Sequence, residues 1–300
     1  MLKIISAKNL INEQLTMKFN ICIIKPENYD HSMAFWELAE LLQYSLRDLN
    51  HTAEIQFNKT DSNARNIILG FHFLEIKFAK QVPKNTILIN LEQFLGNLQW
   101  PEHFHRNFLD WTKSFETWDY SPQNIDAFKK IGLTNVKYLK IGYQKELTRI
   151  QKNDTQDIDV LFYGSINERR SRVLDAIKSH GLNVHVVYGS YGKARDDLIG
   201  RSKIVLNLHY YESQIFEVIR VFYLLCNSIT VVGEINETTE VTEPFKNAIS
   251  GVKYEKLVET CAYLASNSEI ANEKAATAYE IFKQYPQKKY TEYLLEDLKS

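Results

Sequence analysis

Twice along this chain, short apolar runs alternate with segments of helical period, and one polar stretch separates the two series. The first series contains F-N-I-C-I-I-K (Phe19–Lys25), His51–Phe57, R-N-I-I-L-G (Arg65–Gly70), T-I-L-I-N (Thr86–Asn90), Phe115–Trp118 and Val136–Leu139 as predicted strands. A helix is predicted over residues 32–49, where Phe35, Trp36, Leu38, Ala39, Leu42 and Leu46 form a helical stripe, and another over 121–131. The strand runs are apolar throughout rather than cleanly alternating. That pattern belongs to a mostly parallel sheet with helices on both faces.

Residues 146–159, E-L-T-R-I-Q-K-N-D-T-Q-D-I-D, carry few apolar anchors and read as a linker. The alternation then restarts: predicted strands at 160–163, 184–188, 203–208 and 229–232, and helices at 167–180, 194–200, 216–226, 254–264 and 272–284. A chain of 300 residues suits one large domain or two of about 150. The reading is therefore an α/β protein of two Rossmann-like domains, residues 1–150 and 151–280. Residues 281–300 follow, with a tail helix (290–299) that can pack back on the first domain. Ligands of open parallel sheets sit beyond the carboxyl ends of the strands, so two such edges are expected to face each other across a cleft.

Charge narrows the partners. A formal net charge of -1 gives no whole-chain field to attract nucleic acid, which is not indicated as a partner, although a local basic cleft stays compatible. Three distant cysteines, with no C-x-x-C and no H-E-x-x-H, give no zinc or disulfide framework, and no metal is expected. The D-x-D at Asp157–Asp159 precedes a strand rather than following one. The start, M-L-K-I-I-S-A-K-N-L-I-N-E-Q, lacks a signal-peptide pattern, and no run approaches eighteen apolar residues. The chain reads as soluble and cytoplasmic, with a peripheral membrane contact through a short amphipathic patch still compatible.

Candidate chemistry gathers at strand ends. Gly164-Ser165 closes the first strand of the second half, followed by Arg169-Arg170; backbone amides and forked guanidinium groups there suit phosphate oxygens. Neither G-x-G-x-x-G nor the P-loop pattern is present. Gly189 and Gly192 bracket Ser190-Tyr191 just past Tyr188, where a base or ribose can approach the backbone. His209 ends the next strand. In Y-E-S-Q-I-F-E-V-I-R (Tyr211–Arg220), Glu217 and Arg220 stand one helical turn apart ahead of an apolar run. They either pair with each other or face a ligand, the carboxylate taking ribose hydroxyls and the guanidinium a diphosphate. In the first half, Asp30 or His31 can act as a base, or Asp30 or Ser32 can cap the helix. His72, Glu92 and Asp119 also follow strands and read as an acceptor-side wall.

The runs V-L-F-Y-G-S-I-N-E-R-R, V-V-Y-G-S-Y-G and I-V-L-N-L-H-Y-Y-E-S-Q-I-F-E-V-I-R, continuing V-F-Y-L-L-C-N-S-I-T-V-V-G-E, resemble the donor domain of the GT-B superfamily of nucleotide-sugar glycosyltransferases. The resemblance implies a GT-B fold and transfer of a sugar from a nucleoside diphosphate sugar, which is substrate rather than cofactor, to an acceptor. It implies a donor nucleotide site at Gly164, Ser165, Arg169, Tyr188, Gly189, Glu217 and Arg220, with Glu217 at the position that commonly holds ribose. It further implies an acceptor-side first domain with Asp30 or His31 as base, His209 beside the leaving diphosphate, and a terminal helix crossing back. Many retaining members carry E-x-x-x-x-x-x-x-E; here Leu225 fills the second slot and Glu212 does not restore the spacing, so the stereochemistry stays open. A non-catalytic nucleotide or sugar-phosphate binding module, or an epimerase-like enzyme, would use the same nucleotide site.

Overall fold

The computed structural model describes residues 16–94, 101–211 and 215–296. Glu212, the start of the chain read above for a signal, and the last residues of the tail lie outside them.

Two parallel sheets organise the chain. The first orders its six strands β2-β1-β3-β4-β5-β6: β1 (Lys18–Ile23), β2 (Thr52–Phe57), β3 (Arg65–Leu69), β4 (Ile87–Asn90), β5 (Glu116–Asp119) and β6 (Val136–Tyr138). The second orders five strands β11-β10-β9-β7-β8: β7 (Ile158–Tyr163), β8 (Val184–Val187), β9 (Ser202–Asn207), β10 (Val231–Glu234) and β11 (Ser250–Val252). The strand pairs are parallel. Phe19, Ile21, Ile67, Leu69 and Ile87 are buried, as are Val160, Phe162, Ile204 and Leu206. Burying one such side chain fully contributes roughly 1.5–3 kcal/mol, which is why the continuous apolar runs became interior strands.

Helices cover the sheets: α1 (Trp36–Asp48), α2 (Glu102–Ser114), α3 (Pro122–Lys130), α4 (Glu168–Ser179), α5 (Gly192–Gly200), α6 (Val218–Cys226), α7 (Leu257–Ser266), α8 (Ser268–Lys283) and α9 (Gln287–Glu296). The run read as a linker starts within a 3₁₀ turn (Lys145–Leu147) and has no helix or strand from 148 to 157, but its last residues, Ile158 and Asp159, already belong to β7. Helix α2 and strand β11 are elements that the sequence reading did not include.

Each sheet reverses its build direction once, and both reversals meet at the same cleft. The chain goes from β1 outward to β2 and returns to β3; it goes from β7 outward to β8 and returns to β9. Such switch points open a crevice beyond the strand ends. Helix α9 returns to the first half and lies on α1, where Ser45 Oγ and Thr291 Oγ1 are 2.8 Å apart. Gln287 Oε1 accepts from the Gly142 amide at 2.7 Å. Among the described residues, no helix is long and apolar enough to cross a membrane.

Candidate functional site

The carboxyl edges of both sheets line one cleft of about 430 Å³, within the range of ligand sites. The first half contributes His31 and Phe35 after β1, Leu91 to Gln93 after β4, and Tyr120 after β5. The second contributes Tyr163 to Ser165, Tyr188 to Tyr191, Tyr210, Tyr211, and the start of α6.

At the floor of the second half, one carboxylate holds two arginines. Glu217 occupies the N-cap position of α6, and its carbonyl accepts from the amides of Arg220 (3.1 Å) and Val221 (3.3 Å). Its Oε1 accepts from Arg170 Nη2 at 2.6 Å, and its Oε2 pairs with Arg220 Nη1. The ion-pair alternative is thus realised, with a second guanidinium added. Arg170 is only 3% exposed; Nη1 donates to the Ser165 carbonyl at 2.8 Å, and Nη2 also reaches the Leu208 carbonyl. Arg220 Nη1 donates to Asn207 Oδ1 at 2.7 Å. The Phe162 ring lies 5.1 Å from the Arg170 guanidinium and 5.8 Å from that of Arg220, near enough for the ring face to attract both cations. Desolvation pushes both arginines down to about 10, and for Arg220 the repulsion of Arg170 adds to it. Both therefore remain charged at neutral pH. Two cations on one anion leave a net positive clamp, which suits a phosphate group.

Gly164 makes the clamp possible. Its φ is +139°, and a Cβ there would lie 3.0 Å from Arg220 Nη2. A side chain would both strain the turn and press on the guanidinium.

Other residues singled out in the sequence fall in different places. Ser165, Gly189 and Tyr188 line the cleft, Tyr188 at the rim with 62% of its surface exposed. Arg169 instead turns to Glu234, with Nη1 to Oε2 at 2.6 Å, and lies over the Tyr254 ring at 4.3 Å; Arg170 takes the cleft position. His209 is buried outside the cleft lining, its amide donating to Glu234 Oε2 at 3.1 Å and its Nε2 3.2 Å from Thr239 Oγ1. Burial lowers its pKa, with Arg169 and Arg170 adding to the effect against Glu234.

In the first half, His31 lines the cleft. Asp30 does not: its side chain is 79% exposed and pairs with Lys25 at 2.7 Å. Neither Asp30 nor Ser32 makes a side-chain cap to the 3₁₀ turn 30–35 that precedes α1. Glu92 lines the cleft with His72 behind it, 3.6 Å from Nε2 to Oε1; burial lowers the His72 pKa. Asp119 is fully buried and accepts from Asn90 Nδ2 (2.6 Å), the Ser121 amide (2.7 Å) and Asn124 Nδ2 (3.1 Å). Burial pushes it up to about 7, and it ties the ends of β4 and β5 rather than facing the cleft. Asp157 and Asp159 are held by Arg201 (2.8 Å) and Lys203 (2.7 Å). Among the described residues, no cluster of three or more His, Cys, Asp or Glu could hold a metal.

Sequence reasoning missed a set of buried and half-buried ion pairs beside the cleft. Arg195 of α5 meets Glu37 of α1 at 2.7 and 3.1 Å, and both are buried. Arg149 meets Glu40 at 2.9 and 2.7 Å and donates from Nε to Tyr223 Oη at 2.9 Å. The Tyr223 hydroxyl donates to Asp196 at 2.7 Å. Glu37 and Glu40 sit beside Leu38, Leu41 and Leu42 on the buried face of α1, and acids on an apolar face were the available signal.

No family model matches the chain. An uncharacterized protein of Acanthamoeba polyphaga mimivirus is 29% identical over 201 residues, 63% of this chain and 62% of that protein. Another from the same virus is 33% identical over 154 residues, 50% of this chain and 52% of that protein. The chain thus spans less than two thirds of the curated relatives it matches. Among solved structures, Anabaena HepE in complex with UDP and glucose aligns with a TM-score of 0.60 at 12% identity, over 95% of this chain and 100% of that one. The DNA-modifying β-glucosyltransferase, solved with and without uridine diphosphoglucose, aligns at 0.58 and 12% identity, over 93% and 99%. Sucrose-phosphate synthase from Thermosynechococcus elongatus aligns at 0.57 and 9% identity, over 94% and 98%. The fold is that of the GT-B nucleotide-sugar glycosyltransferases.

Proposed function

We propose that this protein transfers a sugar from a nucleoside diphosphate sugar to an acceptor hydroxyl bound against its first domain. The observation that carries the reading is the Arg170–Glu217–Arg220 clamp at the β7/β9 switch point, a half-buried site with one cation in excess. The donor diphosphate would neutralise that excess. A carboxylate offers about four lone-pair sites; the two arginine bonds leave Glu217 capacity for ribose hydroxyls. Gly164, Ser165 and the turn from Tyr188 to Tyr191 would complete the donor side.

In the reaction, the acceptor oxygen attacks the anomeric carbon as the bond from that carbon to the phosphate oxygen breaks. His31 takes the acceptor proton. The clamp receives the charge that grows on the leaving diphosphate, and such stabilisation lowers the barrier because it is greatest after bond cleavage begins. A single displacement of this kind inverts the anomeric centre. The neutral state of His31 suits it to this work: burial lowers its pKa, against a weaker opposing effect of Glu92.

The direct test is release of UDP from UDP-glucose, with water and then with pooled sugar, lipid and nucleic-acid acceptors. Turnover by wild type and its loss in Arg220→Ala support the reading. A folded wild type inert toward UDP-, GDP-, ADP- and CDP-sugars overturns it.

A further inference from the structure

His31 and Tyr191 approach from opposite walls of the cleft, 160 positions apart, with Nδ1 2.5 Å from the phenolic oxygen. Around the imidazole, Tyr188 is stacked at 5.6 Å and 24°, while Tyr29 and Tyr191 meet it edge-on at 5.9 Å and 6.0 Å. One ring nitrogen is therefore committed to the other half of the molecule.

We infer that Tyr191 is a positioning residue: it accepts the Nδ1 hydrogen of His31, leaving Nε2 as the basic nitrogen, so the general base is complete only when the two halves are closed. This rests on the role given to His31 above. A neutral imidazole carries one hydrogen. With that hydrogen on Nδ1, facing Tyr191, the Nε2 lone pair is available to the acceptor. When Nε2 takes the acceptor proton, Nδ1–H still donates to the phenol, and no bond has to reorganise during the transfer. The reverse arrangement, with the phenol donating to Nδ1, puts the hydrogen on Nε2 and disables the base.

The surroundings agree. Burial pushes the Tyr191 phenol up to about 12, with Tyr188, Tyr29 and Asp30 adding to the effect against Arg195, so it stays neutral across the working range. The charged group acting on His31 is Glu92. The geometry is also braced. Gly189, at a φ of +73°, turns the chain between Tyr188 and Tyr191, and Tyr191 is the N-cap residue of α5. Four residues into that helix, Arg195 pairs with Glu37, which follows His31 by six positions. The Arg195–Glu37 pair thus fixes the two elements that bring His31 and Tyr191 together.

The test uses long-range proton–nitrogen spectra of the histidine rings in the full chain, with His31→Gln assigning the His31 signal. The proposal expects the Nδ1–H tautomer in wild type and a shift toward Nε2–H in Tyr191→Phe, with the backbone spectrum unchanged. It also expects kcat for hydrolysis of UDP-glucose in Tyr191→Phe to fall by at least about tenfold with KM kept, a part of the roughly 10²–10⁴-fold that a general base supplies. An Nε2–H tautomer in wild type, or one tautomer in both proteins, overturns it, as does an unchanged kcat. A wild type that turns over no sugar nucleotide removes the transferase reading, while the spectra still decide whether Tyr191 sets the tautomer.

Discussion

Glu217 and Arg220, one helical turn apart at the start of α6, form an ion pair on the wall of the cleft, and the apolar run behind them buries the helix against its sheet. Arg170 shares the same carboxylate. Removing that carboxylate leaves two largely buried cations without compensation. Breaking a buried pair this way costs about 3–5 kcal/mol, and the partial exposure of Glu217 puts Glu217→Ala at the low end. Thermal unfolding without ligand checks this: the variant melts lower than wild type.

Gly164→Ala is expected to weaken nucleotide binding without touching nucleotide directly. Its φ of +139° disfavours a side chain, and the new Cβ would press on Arg220 Nη2. The strain costs about 1 kcal/mol or more. Urea unfolding reads the stability loss, and calorimetry with UDP reads the displaced guanidinium as weaker binding.

The buried Glu37–Arg195 pair should show strong non-additivity. Glu37→Leu alone leaves Arg195 with only its neighbour Asp196 (2.9 Å), and Arg195→Met alone leaves Glu37 with Arg149 at 3.8 Å, so each costs less than the roughly 3–5 kcal/mol of a fully stranded buried charge. Together they remove both charges, and the double variant should recover most of the loss. A double-mutant cycle by urea unfolding checks it; additive losses would show that the pair does not act as a unit.

Stability should fall in mild acid. Burial lowers the pKa of His31, His72 and His209 in the folded state, below the unfolded value of about 6.5. The folded protein then binds fewer protons than the unfolded chain, so their contribution is present above about pH 6.5 and is lost as pH falls toward the folded values. Asp119 acts oppositely: its carboxyl is pushed up to about 7, so its contribution is present at low pH and lost as pH rises through that value. Unfolding curves between pH 7.5 and 4.5 should steepen in Asp119→Asn and flatten in His209→Gln.

Much of the fold was legible because parallel strands buried on both faces are apolar throughout, and such runs stand out. Helix α2 was not, since E-H-F-H-R-N-F-L-D-W-T-K-S is rich in aromatic and histidine residues of modest helix propensity. Strand β11 is a three-residue edge, S-G-V, too short to carry a pattern. At the site, the choice between Arg169 and Arg170 was readable: Arg170 precedes Val173, Leu174 and Ile177 on the buried stripe of α4, and Arg169 lies off it. His209 and Asp119 illustrate what was not. A polar residue at a strand end can face the cleft or turn inward, and its distant neighbours decide which. The meeting of His31 with Tyr191 depends on how the two halves close, which no local spacing encodes.

Calorimetric titration of UDP and of uridine into wild type and Arg220→Ala tests the central claim most directly. The account predicts that UDP binds wild type well ahead of uridine, that Arg220→Ala loses on the order of tenfold or more in UDP affinity, as for a lost charge-assisted hydrogen bond of about 1.5–3 kcal/mol, and that uridine binding is unchanged. Equal binding of UDP and uridine to wild type, or UDP affinity untouched by Arg220→Ala, would contradict a diphosphate clamp at Arg170, Glu217 and Arg220.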